Sequence, residues 1–384
     1  MFQISKKLIA AGLAGAFLLT ACGGGGEPQP TSFPGLMIDG NNGYLASGSQ
    51  VYKFDVTTNA EAWRFPAQAV NTLNFAGQPL KFGDVVIVGG ATSPSGGAYD
   101  NHLYAINQQT GAEVWRFAAG KDGNPGKEFA DGVVTDGKLL YAANGDHTLY
   151  VLDPSNLDGG QPKTVWTFTA QNKLWSRPLV ADGVVYQGSL DHNMYALDAA
   201  TGKELWRYTE AAAPIVSQPS ISNGTLFFGS FDNLFFALDA KTGKLKWKTP
   251  VDGWVYSSSL VENNVVYFGD AKGRFYALNA ADGSVKWTFQ TQGAIHAKPV
   301  LSGTTIYVVS GDTIVYGLDA NQATDYKAAK KNEGIGRRLF STPALVGNTL
   351  LVVPLDGAVK VQAVNVDTQN LANKFAFPQA TPGK

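Results

Sequence analysis

The sequence predicts an all-β chain, an eight-bladed β-propeller of four-stranded antiparallel blades. Three observations carry that reading. A unit of about 44 residues recurs eight times between residues 33 and 384. Gly supplies 44 of 384 residues and charged side chains only 16%, a balance of tight turns and apolar strands. The apolar runs are short, alternate, and are bounded by Asp-Gly or Asn-Gly pairs, and almost nowhere do they take a helical period.

Residues 1–21 come first. Lys6 and Lys7 precede the apolar stretch Leu8 to Leu19, which small Ala21 ends. This is the pattern of a secretory signal, too short to span a bilayer stably. The single cysteine, Cys22, follows at once in Leu19-Thr20-Ala21-Cys22. That tetrapeptide resembles the bacterial lipobox, which implies cleavage before Cys22 and acylation (palmitate among the chains) of that residue. Gly23 to Ser32 then reads as a flexible tether over residues 22–32. Gly23 follows the cysteine, where the resemblance would place Asp for inner-membrane retention. The expected location is therefore the cell envelope: the periplasmic face of an outer membrane if the organism has one, otherwise the outer face of the cell membrane.

The propeller is expected over 33–384. Its clearest unit runs from Pro178 to Tyr208, PLVADGVVYQGSLDHNMYALDAATGKELWRY. The first strand follows a Pro, and Asp182-Gly183 turns into the second, Val184 to Gly188. The third is Met194 to Leu197, and the fourth carries Trp206. Third-strand aromatics align as Tyr52, Tyr104, Tyr150, Tyr195, Phe236, Tyr276 and Tyr316, with Gln362 in a decayed eighth copy. Six Trp fall in frame on fourth strands: Trp63, Trp115, Trp166, Trp206, Trp247 and Trp287. Trp suits an inter-blade wedge, since it buries a large ring and its N–H can reach a carbonyl. Gly at the end of the second strand lets neighbouring sheets approach. Only Asn321 to Asn332 reads as a short helix or a loop. How the ring closes is not legible; a strand shared between the ends remains open.

The stretch Ala196 to Trp206, ALDAATGKELW, and its copies Ala237 to Trp247 and Ala277 to Trp287, resemble the PQQ-type propeller repeat. Length, lipobox and blade count further resemble the BamB family within it. That resemblance implies a non-catalytic lipoprotein of the outer-membrane β-barrel assembly machinery, with an envelope protein or peptide as partner. Two other function classes stay open: a cell-surface ligand-binding or sensing propeller, and a PQQ-dependent quinoprotein dehydrogenase.

Chemistry is sparse. One Cys allows neither an internal disulfide nor a Cys-rich metal site. Net charge −1 with a pI of about 6.4 leaves no footprint for nucleic acid. Asp146, Asp191, Asp232, Asp270, Asp312 and Asp356 share one turn, which a repeated turn role explains without a calcium site. His102, His147 and His192 fall at neighbouring hairpin tips and read as exposed turn residues. No quinone, metal or other cofactor is expected, and the chain reads as a monomer. The irregular segments lie just before each first strand: NPGKEF (Asn124 to Phe129), NKLWSR (to Arg177), APIVSQ (to Gln218), GWVYSS (to Ser258), GAIHAK (to Lys298) and GIGRRLF (to Phe340). They hold the two Trp outside the repeat frame and most rim cations. Trp175, Arg177, Trp254, Tyr256, His296, Lys298, Arg337 and Arg338, with Lys127 beside them, are the candidate binding residues, because aromatic and Arg side chains on a rim make binding hot spots. The alternative is that the Trp plug the channel and the cations are solvated. The insertion Thr92 to Asp100 reads as a mobile loop.

Overall fold

The structure is a computed structural model that describes residues 33–92, 100–119, 129, 132–321, 330–332, 335–355, 357–367 and 371–378. All of these belong to the compact unit Ser32–Lys384. The signal, Cys22, the tether, Lys127, Asp356 and most of the Thr92 to Asp100 insertion lie outside the described residues.

Eight four-stranded antiparallel sheets are present, and each is one contiguous run: residues 35–65, 73–118, 133–169, 179–208, 220–250, 260–290, 300–332 and 344–377. We number them blades 1 to 8. The second and third strands are covered on both faces, which is why they read as continuous apolar runs such as Val265-Val266-Tyr267-Phe268. Eight hydrophobic clusters hold the ring, one at every blade interface. Met194 and Tyr208 of blade 4 meet Leu226 and Phe236 of blade 5, for example. The last cluster joins Leu351 and Val361 of blade 8 to Leu45 and Phe54 of blade 1. The ring is therefore a closed eight-bladed propeller.

The local chemistry of the repeat is as the sequence suggests. Asp182-Gly183 and Asn223-Gly224 take positive φ at both residues, as a two-residue hairpin turn requires. Asp198 Oδ1 accepts the amide and hydroxyl of Thr201 at 2.8 and 2.7 Å, which shapes the turn into the fourth strand. The same hydroxyl contact leads the effects that lower the Asp198 pKa.

The Trp of one blade docks on that turn in the next. Trp63, Trp166, Trp206 and Trp247 donate their indole N–H to the carbonyls of Gln108, Ala199, Ala240 and Ala280 at 3.0 to 3.1 Å. The ring lies against the turn glycine. At Gly283 (φ +74) a Cβ would come within 2.5 Å of Trp247 Cε3, so the residue is needed for conformation and for room.

Closure uses packing instead of strand exchange. Blade 8 lacks the Trp, and Phe375 takes its place opposite Ala363. Phe377 stacks on Phe54 with ring centroids 4.5 Å apart. Asn59 Nδ2 donates to the Ala376 carbonyl across the seam. One sequence expectation needs correction. Lys330–Asn332, the described end of the Asn321 to Asn332 segment, is neither helix nor loop. It is the outer strand of blade 7, paired with Val315 to Gly317, and the ladder of blade 7 supplies the order that its sequence lacks.

Replacing Trp247 by Ala removes a nearly buried indole and its hydrogen bond at the blade 5–6 interface. We expect a loss of about 3 kcal/mol, the usual scale for Trp→Ala in a core. Thermal denaturation of the variant beside wild type checks it.

Candidate functional site at the axial mouth

Between blades the chain crosses from an outer strand to the next inner strand. These connectors share a pattern: Leu174-Trp175-Ser176-Arg177, Ile215-Val216-Ser217-Gln218, Val255-Tyr256-Ser257-Ser258, Ile295-His296-Ala297-Lys298 and Leu339-Phe340-Ser341-Thr342. The first residue of each is fully buried. It plugs into the previous blade: a Cβ at Gly229 would lie 2.2 Å from Val255 Cγ1. In three connectors the serine ties the segment to its own blade, while Ser341 donates to the Pro34 carbonyl and Ala297 replaces the serine in the fourth. Ser217 Oγ donates to Gly229 O at 3.0 Å and accepts the Gly229 amide at 2.8 Å, and Ser257 does the same with Gly269. With alternate positions pinned outward, the intervening side chains of an extended segment face the axis.

They form two tiers. The lower tier lines a cavity of about 630 Å³ whose walls include Gln78, Arg177, Gln218, Ser258, Lys298 and Thr342. These residues belong to blades 2, 4, 5, 6, 7 and 8, so the cavity lies on the propeller axis. Arg177 is held by Gln78 Oε1 and by the Val133 carbonyl, the latter at 2.9 Å. Burial, and then the Arg177 charge, lower the Lys298 pKa.

The upper tier is aromatic. Phe33 sits with its ring 5.7 Å from Tyr256, 5.8 Å from His296 and 5.3 Å from Phe340. His296 lies 4.6 Å from Phe340 and 5.1 Å from Tyr256. Its Nδ1 is shut off from solvent and has no hydrogen-bond partner among the described residues, and burial pushes its pKa down to about 4. The ladder continues outward from Tyr256 to Phe231 and then to Trp254, which stacks on Phe231 at 5.0 Å. Trp254 remains 39% exposed.

The structure thus joins some candidates and separates others. Tyr256, His296 and Trp254 belong to one aromatic ladder. Arg177 and Lys298 share the cavity below it. Trp175 occupies the Tyr256 position of an earlier connector, half-buried, with the Lys173 ammonium 5.3 Å above its ring; it differs in register from exposed Trp254. Arg338 lies over Phe340 at 5.8 Å, whereas the Arg337 guanidinium runs beside Gly357. Phe33, Phe231 and Gln78 are site residues that the sequence did not single out. Phe340, although inside a quoted segment, signals itself only when the connectors are aligned.

The family described as "Outer membrane protein assembly factor BamB" matches residues 99–222 and 196–380. The chain belongs to the BamB family. A relative from Burkholderia pseudomallei (strain K96243), named outer membrane protein assembly factor BamB, is 32% identical over 137 residues, 36% of this chain and 31% of that one. A Pseudomonas protein named lupanine 17-hydroxylase [cytochrome c] is 41% identical over 81 residues, 20% of this chain and 12% of that one. The chain therefore spans under a third of the length of either relative. In fold it is similar to BamB from Moraxella catarrhalis, with a TM-score of 0.66, 19% identity and 85% and 92% of the two chains covered. It is also similar to the computationally designed Ika8 protein, with a TM-score of 0.68, 16% identity and 86% and 96% covered.

The repeat acids of this BamB-family chain serve the turns, as their repetition suggests. Asp191 accepts Asn193 N, Gln171 N and the Tyr195 hydroxyl; Asp312 does the same with Ile314, Gln292 and Tyr316. Asp270, wholly buried, accepts Gly253 N and Tyr276 Oη, and burial raises its pKa. Asp191, Asp232, Asp270 and Asp312 thereby clip the incoming connector to their own blades. Their oxygens are thus engaged by protein donors, and no His, Cys, Asp and Glu group suited to a metal occurs among the described residues. A hard cation needs oxygen donors free to bind it, and the oxygens of Asp191, Asp270 and Asp312 already accept bonds from protein donors. The histidines need one correction. His147 and His192 take left-handed turn positions (φ 74 and 73), but His102 is a strand residue, 8% exposed, with its ring 5.6 Å from Tyr104. The longer hairpin of blade 2, whose strands run to Thr92 and from Asp100, carries it out of the turn.

His296 makes the mouth sensitive to acid. Its folded pKa of about 4 lies below the ordinary 6.5, so its contribution to stability is complete above pH 6.5 and is lost as pH falls through about 4. His296→Phe keeps an aromatic ring there and should flatten this part of the stability profile, measured by thermal denaturation between pH 7 and about 4.

Proposed function

We propose that this chain is a non-catalytic, membrane-anchored scaffold that binds envelope proteins during outer-membrane β-barrel assembly. Membership of the BamB family supports the role. The single observation that carries the binding surface is Trp254, exposed on the rim and stacked on Phe231. A large, rigid aromatic pair beside a ring of aromatic side chains offers anchor area at low entropic cost. Cys22 would be the acylated attachment point and residues 22–32 the tether, so that the propeller works as a monomer at the periplasmic face of the outer membrane. More than one acyl chain is needed for firm attachment.

The test is in-cell cross-linking followed by pull-down. Wild type should recover an outer-membrane barrel or its assembly machinery. Trp254→Ala combined with Phe231→Ala should reduce recovery about tenfold or more, the scale of losing a hot spot. Unchanged capture by a folded double variant would sink the docking surface.

The likeness to lupanine 17-hydroxylase over 81 residues favours a second reading, a quinoprotein enzyme. Purified protein given the quinone and Ca²⁺ should, on the scaffold reading, acquire no bound chromophore after desalting. Acquisition of one would move the assignment to the enzyme.

A further inference from the structure

We propose that the axial cavity binds a small multivalent oxyanion, with the Lys298 ammonium as its principal ligand. This goes beyond the docking role, because it uses the lower tier of connector residues and none of the exposed rim pair.

The cavity is rich in donors and poor in countercharge. Lys298 and Arg177 face it together with the Gln218 amide and the hydroxyls of Ser258 and Thr342. The Lys298 side chain makes no hydrogen bond or ion pair among the described residues; only its backbone amide is engaged, by Thr342 Oγ1 at 3.3 Å. The acid on the cavity wall, Glu262, is exposed and forms no ion pair with Lys298. A partly desolvated cation beside a second cation is costly unless something neutralises it. The lowered Lys298 pKa reports the same strain.

The guanidinium is also preset. Its bonds to Gln78 and Val133 fix its plane before any ligand arrives, and a fixed fork loses little entropy on binding an oxyanion. About 630 Å³ is ample for inorganic phosphate or a tricarboxylate. Both present the same chemistry, several anionic oxygens within a few ångströms.

Isothermal titration of the purified full chain with phosphate and with citrate tests the proposal, with chloride at matched ionic strength as control. Saturable one-to-one binding of at least one oxyanion is expected, and the tighter of the two assigns the class. Lys298→Met should weaken it about tenfold or more, the effect of losing one charge-assisted contact. The same variant should melt higher than wild type without anion, since a like charge is gone. Lys298→Arg should retain binding. Lys298→Gln provides the same comparison should the Met variant not fold. No saturable heat from either anion, or equal affinity in the Met or Gln variant, overturns the site. The Trp254→Ala, Phe231→Ala protein should bind the anion as wild type does, so loss of partner capture and loss of the anion site are separately visible.

Discussion

The seating of one blade's indole on the next blade's turn glycine is the contact on which the ring depends. A four-stranded sheet with two apolar faces has no stable existence alone. It needs a neighbour on each side at a fixed angle. The indole sets both distance and angle, because its face meets a residue without a side chain while its N–H meets a carbonyl in the same turn. A bulkier turn residue or a smaller wedge would change the wedge angle, and an error repeated at each interface would prevent eight blades from meeting. Where the indole is missing, as in blade 8, Phe375 and the Phe377–Phe54 stack take up its work.

The site follows from the same constraint. Once blade spacing is fixed, the connectors carry most of the side chains described around the axis. Their own anchors recur: an apolar residue pressed on the blade before, as Val255 on Gly229, and in three of the five a serine bonded to the second-strand glycine of the blade that follows, as Ser257 to Gly269. The chain thereby spends two of every four connector positions on structure and leaves two for the channel. An aromatic upper tier and a cationic, amide-bearing lower tier are what this chain has placed there. The division into two tiers separates the aromatic mouth from the polar cavity below it.

Much of the fold was legible because the repeat states it eight times. Strand order, turn type and the six in-frame Trp could be read from residue spacing, and the structural role of Asp191 or Asp312 from its recurrence. Legibility failed where repetition failed. Lys330 to Asn332 has neither Trp nor turn glycine, and only its pairing with Val315 to Gly317 makes it a strand. Trp175, Tyr256, His296 and Lys298 were visible as departures from the repeat, but their tiers depend on an alternation that shows only when the connectors are aligned with one another. Phe33 was invisible for a different reason. It lies at the edge of the tether, and its partners Tyr256, His296 and Phe340 are more than two hundred residues away. Arg177, one of the rim cations, is engaged by Gln78 and Val133, whereas the Lys298 ammonium has no hydrogen bond or ion pair among the described residues.

The seam between blades 8 and 1 has a temporal meaning. Every blade is a contiguous run, so each can pair its own strands as soon as its 30 to 46 residues have been made. Each new blade then covers the flank of the one before. Blade 1 is the exception on its other side: Leu45 and Phe54 wait for Leu351, Val361 and Phe377, and Asn59 for a carbonyl 317 residues downstream. During synthesis the growing arc therefore carries two apolar flanks, one renewed with every blade and one uncovered until the last. Such surfaces invite aggregation. The final blade is thus the moment at which a sticky, open-ended intermediate becomes a closed and inert ring.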